Sequence, residues 1–279
     1  LIRYFAIYGG VEDRVSFDFF EDLDASVERH FVREFAQTRG WILPAWLRKP
    51  PRRELLIALA RGDARMLGAF RRAGLGEGSG GTLLRELVEE GVLRIEPSRE
   101  APIRPVPGRP IRKELRRYRI QDKVRFVAPF YRFWFGFVEP YARDLERGEG
   151  TAMMENYRRH RERAASRIFE ELASELLELH FAERDPLVSK GTHWDYHSEF
   201  DLLAHTRSGE LILGECKFTG RPVCRGELKK LQEKAAVSGI RADRYALFSR
   251  SGFSRELRES GERNLLLFEL EDFRKLLKE

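Results

Sequence analysis

The sequence predicts an α/β protein, mostly helical in its N-terminal part and ending in a sheet covered by helices. Three observations carry this. Between about residues 51 and 96, apolar residues recur at helical spacing in three successive segments, ahead of a short strand. From about residue 164 the pattern becomes helix, hairpin, helix, strand, strand and helix, which reads as one sheet with helical layers. The 279 residues are 42% hydrophobic, enough for a packed core, and 34% charged in both signs, which argues against general disorder.

Residues 1–48 open with a short apolar stretch ending at Gly9-Gly10. A helical pattern follows through "ASVERHFVREFAQTRGWI", and no chemistry is assigned to it. "RRELLIALARG" and "ARMLGAFRRAGL" read as two helices. "GEGSGG" is expected to break the chain, and "TLLRELVEEGVLRIE" reads as a helix, a stop at Gly91 and a strand. That is the element order of a winged helix, a fold that often lays its last helix in the major groove. Here the exposed face of that helix would carry Arg85, Glu86, Glu89 and Glu90. Three acids in four oppose phosphate contact, which favours packing or protein contact over operator reading. "GEGSGGTLL" is not a Walker A loop, because no Lys follows Gly81, and no other segment matches that pattern.

Residues 97–125 are Pro-rich and then basic: Arg99, Arg104, Arg109, Arg112, Lys113, Arg116, Arg117, Arg119, Lys123 and Arg125, opposed only by Glu100, Glu114 and Asp122. "PVPGRP" fits a wing tip or a linker, with "LRRYRIQD" returning as a strand. A basic wing would contact the phosphate backbone, with Arg112, Lys113, Arg116 and Arg117 as candidates; a solvated loop fits the same residues. "FVAPFYRFWFGFVEPY" at 126–141 could offer stacking faces to bases, although burial in a core is favoured. "NYRRHRERAASR", with Arg158 and Arg159, reads as a phosphate-facing or a solvated helix. The expected division is 1–125 helical and winged-helix-like, 126–163 connecting helices, and 164–279 the sheet domain.

The net charge of +6 and pI of about 9.4 lean toward a polyanionic partner. Arg outnumbers Lys by 41 to ten. Arg grips phosphate bidentately, but a GC-rich genome or a heat-adapted source explains the skew as well. Cys216 and Cys224 cannot complete a four-ligand zinc site alone. "LIRYFAIYGG" lacks the features of a secretory signal, and no apolar run reaches the roughly 18 residues that span a bilayer. A cytoplasmic protein with reduced thiols and no membrane partner is therefore expected.

The chemistry gathers in "EFDLLAHTRSGELILGECKF", a predicted hairpin. Residues i and i+2 of a strand face the same way, so Glu215 and Lys217 point together, in register with Leu211 and Leu213. Hairpin pairing can bring Asp201 near Glu215. Two carboxylates at the edge of a buried sheet repel each other and lose hydration. Mg²⁺ or Mn²⁺ would relieve both, since Mg²⁺ takes one or two carboxylates and fills its shell with water and phosphate oxygens. Such a cation could polarise a phosphate and acidify a bound water, and Lys217 could orient that water or stabilise developing charge. Glu170, on the amphipathic helix "AASRIFEELASELLELHF", could complete the outer shell; on that helix Ile168, Leu172, Leu176 and Leu179 are expected to share the buried face. Lys229 and Lys230 on the following helix are candidate phosphate contacts. Cys216 points the opposite way and reads as core.

"RIFEELASELL", "EFDLLAHTRSGELILGECKF" and "LKKLQEKA" together resemble the PD-(D/E)XK nuclease superfamily. More narrowly, they resemble the nuclease-like domain C-terminal to archaeal and bacterial DEXX-box ATPases. "YRIQDKVRFVAPFYRFWFGFVEPY" is similar to the aromatic segment that joins the winged helix of that family to its nuclease-like part. The resemblance covers roughly residues 51–240. It implies a restriction-endonuclease-like α/β/α domain with Asp201 and Glu215 as metal ligands, Lys217 as catalytic lysine and Glu170 as helix carboxylate. Glu199 is a second candidate beside Asp201, and Gln232 matches a helix position that assists in some members. Ser166 stands where the family has Gly, and Glu199-Phe200-Asp201 where it has "EID". The expectation is an Mg²⁺- or Mn²⁺-dependent nuclease acting on DNA, as a homodimer or with a separate ATPase or other protein partner. The alternatives are a catalytically silent nucleic-acid-binding module and a winged-helix regulator or assembly partner.

Overall fold

A computed structural model of the protein describes residues 1–11, 14, 20–100 and 113–276, the side chains of Glu114 and Arg117 excepted. The architecture is mixed α/β, in two compact units: Leu1–Pro97 with Gln121–Ala165, and Ser98–Ile120 with Ser166–Glu279.

The first unit begins with α1 (Ile2–Tyr8), α2 (Leu23–Glu28) and α3 (Phe35–Ile42). It continues with α4 (Arg52–Arg61), α5 (Met66–Arg72), α6 (Glu77–Glu89) and β1 (Leu93–Glu96). β1 pairs antiparallel with β2 (Lys123–Phe126), Leu93 opposite Phe126. Three helices followed by a two-stranded hairpin match the winged-helix order read from the sequence.

"GEGSGG" does not interrupt the chain, because α6 starts at Glu77 and runs through it. The reason is packing. A Cβ at Gly80 would lie 2.6–2.8 Å from the ring of Phe70, so glycine lets α6 approach α5 at that point. The expected return strand "LRRYRIQD" is not a strand, and β2 lies wholly after it. Lys113–Arg117 form a 3₁₀ turn, and pairing starts only at Lys123. Lys123 and Arg125 are buried, at 1% and 7% exposure, and Arg125 Nε donates to Glu96 at 2.7 Å, which removes both from the basic surface.

α7 (Pro129–Phe133) passes through a π-helical turn, Trp134–Val138, to α8 (Ala142–Glu146). Phe130, Phe133, Trp134 and Phe135 are fully buried, and Trp134 stacks on Phe35 at 6.0 Å. These rings are core and are not stacking faces for bases. Buried Glu139 is held by Trp134 Nε1 at 2.9 Å, Arg53 Nε at 2.8 Å and Arg39 at 3.0 Å, so its charge is paired on every side.

α9 (Thr151–Phe181) is one helix of 31 residues and contributes to both units. Within the second unit it buries Ile168, Phe169, Ala173, Leu176 and Leu177, whereas Leu179 is 46% exposed. The predicted stripe was rotated: the sheet takes the face centred on Phe169 and Ala173.

The sheet holds β3 (Leu187–Trp194), β4 (Glu199–Thr206), β5 (Leu211–Lys217), β6 (Arg244–Ser249) and β7 (Leu265–Glu269), in that spatial order. The first two pairings are antiparallel and the last two parallel. α10 (Arg225–Val237) makes the crossover from β5 to β6, and α11 (Arg255–Arg258) lies between β6 and β7. Leu228, Leu231 and Ala235 of α10 pack on Leu203, Leu213 and Leu247 of the sheet. On the opposite face, Phe169 of α9 stacks on Phe273 at 4.7 Å and meets Phe218 at 5.4 Å. The last element, Leu270–Leu276, is 3₁₀ where an α-helix was expected.

Residues 98–120 belong to this second unit. Arg99 donates to the carbonyls of Leu203, at 3.1 Å, and Lys190. Tyr118 packs edge-on against Tyr196 at 5.1 Å, and its hydroxyl donates to Glu100 at 2.7 Å.

Candidate active site

The site is built where β4 and β5 part. Their ladder runs from His205 opposite Leu211 to Leu202 opposite Gly214 and stops there, although β5 continues to Lys217. Tight pairing leads up to that point: a Cβ on Gly214 would lie 2.9 Å from the Cβ of Leu202.

Asp201 comes next on β4, and a bulge aims it. Between Gly191 opposite Leu203 and His193 opposite Phe200, β3 advances two residues while β4 advances three. The extra residue falls at Asp201-Leu202. It leaves Phe200 and Leu203 in the α10-side core and turns Asp201 toward β5, as bulges beside functional sites commonly do. Its Oδ2 accepts the amide of Cys216 at 2.8 Å, so a side chain stands in for the ladder bond.

Glu215 and Lys217 lie on the α10 face, as their spacing from Leu213 predicts. Lys217 Nζ donates to Glu215 Oε1 at 2.7 Å and lies 3.2 Å from Glu227 Oε2 of α10. Lys234, also on α10, donates to Glu215 Oε2 at 2.9 Å. Glu170 of α9 accepts from Arg167, one turn earlier, at 2.7 Å. Glu199 is exposed, and its charge helps hold Arg167 protonated.

The electrostatics follow from crowding. Burial, then repulsion from Glu215 and from Glu170, pushes the Asp201 carboxyl up to about 7, against the Cys216 amide and Lys234, which favour its charge. Burial works against the Lys217 ammonium, but hydrogen bonding and attraction from Glu215 and Glu227 outweigh it and raise its pKa. Burial, followed by Asp201 and Glu170, drives the Cys216 thiol well above its usual range, so it is an inert core residue. Among the described residues, no group of three or more His, Cys, Asp and Glu side chains is arranged to hold a metal ion. Asp201 and Glu215 are the two carboxylates that could share one.

The structure thus gathers Glu170, Asp201, Glu215 and Lys217 about the point where the interior strands β4 and β5 part. Gln232 differs. It is five residues after Glu227 and two before Lys234, roughly 140° and 200° around the helix. The α10 side chains that reach the motif are Glu227 and Lys234. The readable signal was their spacing of one heptad beside buried Leu231. Arg167 had its i, i+3 spacing from Glu170.

Of the basic candidates, Lys113, Arg116 and Arg159 are exposed. Arg112 and the Arg117 side chain lie outside the described residues. Arg158 is exposed and 3.6 Å from Asp24. Lys229 and Lys230 are 76% and 68% exposed, Lys230 pairing with Glu227 at 2.7 Å. His193, just before the motif, is buried with Nδ1 unpartnered and Nε2 3.8 Å from Asp195; burial lowers its pKa.

No helix among the described residues is long and apolar enough to cross a membrane. Among curated proteins and among solved structures, none matches the chain. Residues 134–235, less than half of the chain, match a family described as archaeal and bacterial proteins of unknown function, DUF234. The matched stretch begins in the aromatic segment and ends in α10, so this chain is similar to that family over the segment that carries Glu170, Asp201, Glu215, Lys217 and Lys234.

Proposed function

We propose that the protein is a metal-dependent nuclease of the PD-(D/E)XK type that hydrolyses phosphodiester bonds in DNA. The observation that carries this reading is the bulged Asp201 set against Glu215 and Lys217 where β4 and β5 part. Mg²⁺ or Mn²⁺ fits the donor set. Two carboxylates suffice for such an ion, and the Asp201 carboxyl, pushed upward by burial and then by Glu215 and Glu170, is short of positive charge. Asp201 and Glu215 would hold the cation, which would polarise the phosphate and acidify a bound water. Lys217, fixed by Glu215 and Glu227, would stabilise charge developing on the phosphate. Glu170, steadied by Arg167, would orient water near the cation. Exposed Lys229, Lys230, Lys113 and Arg116 would contribute backbone-phosphate contacts. A second copy, to cut both strands, and a separate ATPase are the protein partners this reading allows, in the cytoplasm.

One observation favours a second reading, a silent nucleic-acid-binding module: Glu215 accepts from a lysine at each oxygen, and Glu170 is paired with Arg167. A cleavage assay separates the two. Wild type and Glu215→Gln are incubated with labelled single-stranded, double-stranded and branched DNA in Mg²⁺, Mn²⁺ or EDTA. The nuclease reading expects cutting by wild type, none in EDTA, and a loss of about 100-fold or more in the variant. DNA binding by both proteins with no cutting on any substrate would leave the silent module.

A further inference from the structure

Glu215 is shared by two ammonium groups that are not equivalent. Lys217 Nζ lies 2.7 Å from Oε1 and has a second carboxylate, Glu227, at 3.2 Å. Lys234 Nζ lies 2.9 Å from Oε2, and Glu215 is its one carboxylate partner among the described residues. Its other neighbour is the face of Phe200, whose ring centroid is 5.2 Å from Nζ. A ring face steadies an ammonium without neutralising it. Lys234 also acts on Asp201, lowering the cost of that carboxylate's charge. It therefore serves both acids of the motif from the helix side.

Anything that draws Glu215 away leaves Lys217 tied to Glu227. Lys234 is then left aimed into the site, with the Phe200 ring beside it and no other carboxylate among the described residues to pair it. We infer that Lys234 is a phosphate-binding residue of this site, meeting an oxygen of the nucleic-acid backbone, while Lys217 stays anchored on Glu227. The inference rests on the nuclease reading only in taking that phosphate to be the one that is cut.

The test measures DNA affinity by fluorescence anisotropy over a range of salt, in Ca²⁺ with product checked on gels, for wild type, Lys234→Gln, Lys234→Arg and Lys217→Gln. Each phosphate contact adds about 0.7–0.9 to the slope of log affinity against log salt. The slope is expected to fall by about that amount in Lys234→Gln, to be restored in Lys234→Arg and to fall by less in Lys217→Gln, whose ammonium Glu227 already pairs. In Mg²⁺, Lys234→Gln should raise KM as well as lower kcat. Thermal melts of all four proteins separate a folding defect from a lost contact, and Lys234→Arg supports the assignment if Lys234→Gln is unstable. An unchanged slope in Lys234→Gln, or equal losses in both Gln variants, overturns the inference while leaving cleavage by wild type intact. Binding without cutting overturns the nuclease reading and leaves Lys234 to be judged by the slope. A wild type that binds no DNA overturns both.

Discussion

A carboxyl group buried beside two other carboxylates keeps its proton to higher pH, and Asp201 is such a group. Its pKa is about 7 in the folded protein against roughly 3.9 in an unfolded chain. Between those values the folded state binds more protons than the unfolded one, so stability from this residue is full below about 4 and is lost as pH rises through about 7. Each pH unit in that window costs up to about 1.4 kcal/mol. Asn at this position keeps an acceptor for the Cys216 amide and carries no charge. Asp201→Asn should therefore raise the melting temperature over wild type at pH 8 by more than at pH 5. A difference that does not change with pH would mean Asp201 is not strained. The residues of the site around Asp201 were only half legible in the sequence. Asp201, Glu215 and Lys217 could be read because strand alternation and one hairpin relate them. Glu227, Lys234 and Arg167 reach the site through the rotation of two helices over the sheet, which side-chain spacing alone does not set. Gln232 lies on the other flank of the buried face of α10 from Glu227 and Lys234, which the sequence did not announce either.

At the scale of elements, the strands and helices after residue 164 were readable from alternation and apolar runs, since the sheet is covered on both faces. The bulge at Asp201-Leu202 was not readable: "EFDLLA" has no residue that marks an insertion, and only the pairing with β3 reveals it. Likewise "GEGSGG" reads as a breaker until Phe70 occupies the space beside Gly80. The close approach at Gly214 makes a direct prediction. Gly214→Ala puts a methyl 2.9 Å from the Leu202 Cβ, against a neighbouring strand rather than a flexible chain end. Overpacking of that kind costs about 1–3 kcal/mol. Urea denaturation should show the loss, and under the proposed nuclease function cleavage should fall with it because Asp201 is the next residue along β4. A variant as stable as wild type would show that β4 and β5 can separate there freely.

For the whole molecule, the unexpected feature is that Arg99 and Tyr118, between β1 and β2 in the chain, pack with the sheet unit. Composition marked this stretch as a basic wing, and nothing local in the sequence announces that Arg99 will hydrogen-bond strand carbonyls. Removing an arginine that serves two carbonyls costs about 1–3 kcal/mol. Arg99→Ala should speed amide hydrogen exchange in β3 and β4 and leave α4 to α6 unchanged. Equal exchange in both proteins would show that the segment contributes nothing to the sheet.

That same excursion bears on how the protein is made. Arg99 and Leu203 are 104 positions apart. At roughly 5–20 residues per second, a ribosome needs about 5–20 s to deliver the second after the first. During that interval Arg99 has no strand carbonyl to receive it. The newborn chain thus presents Arg99 to a polyanion or chaperone before the strand carbonyls that take its hydrogen bonds in the finished protein have been made.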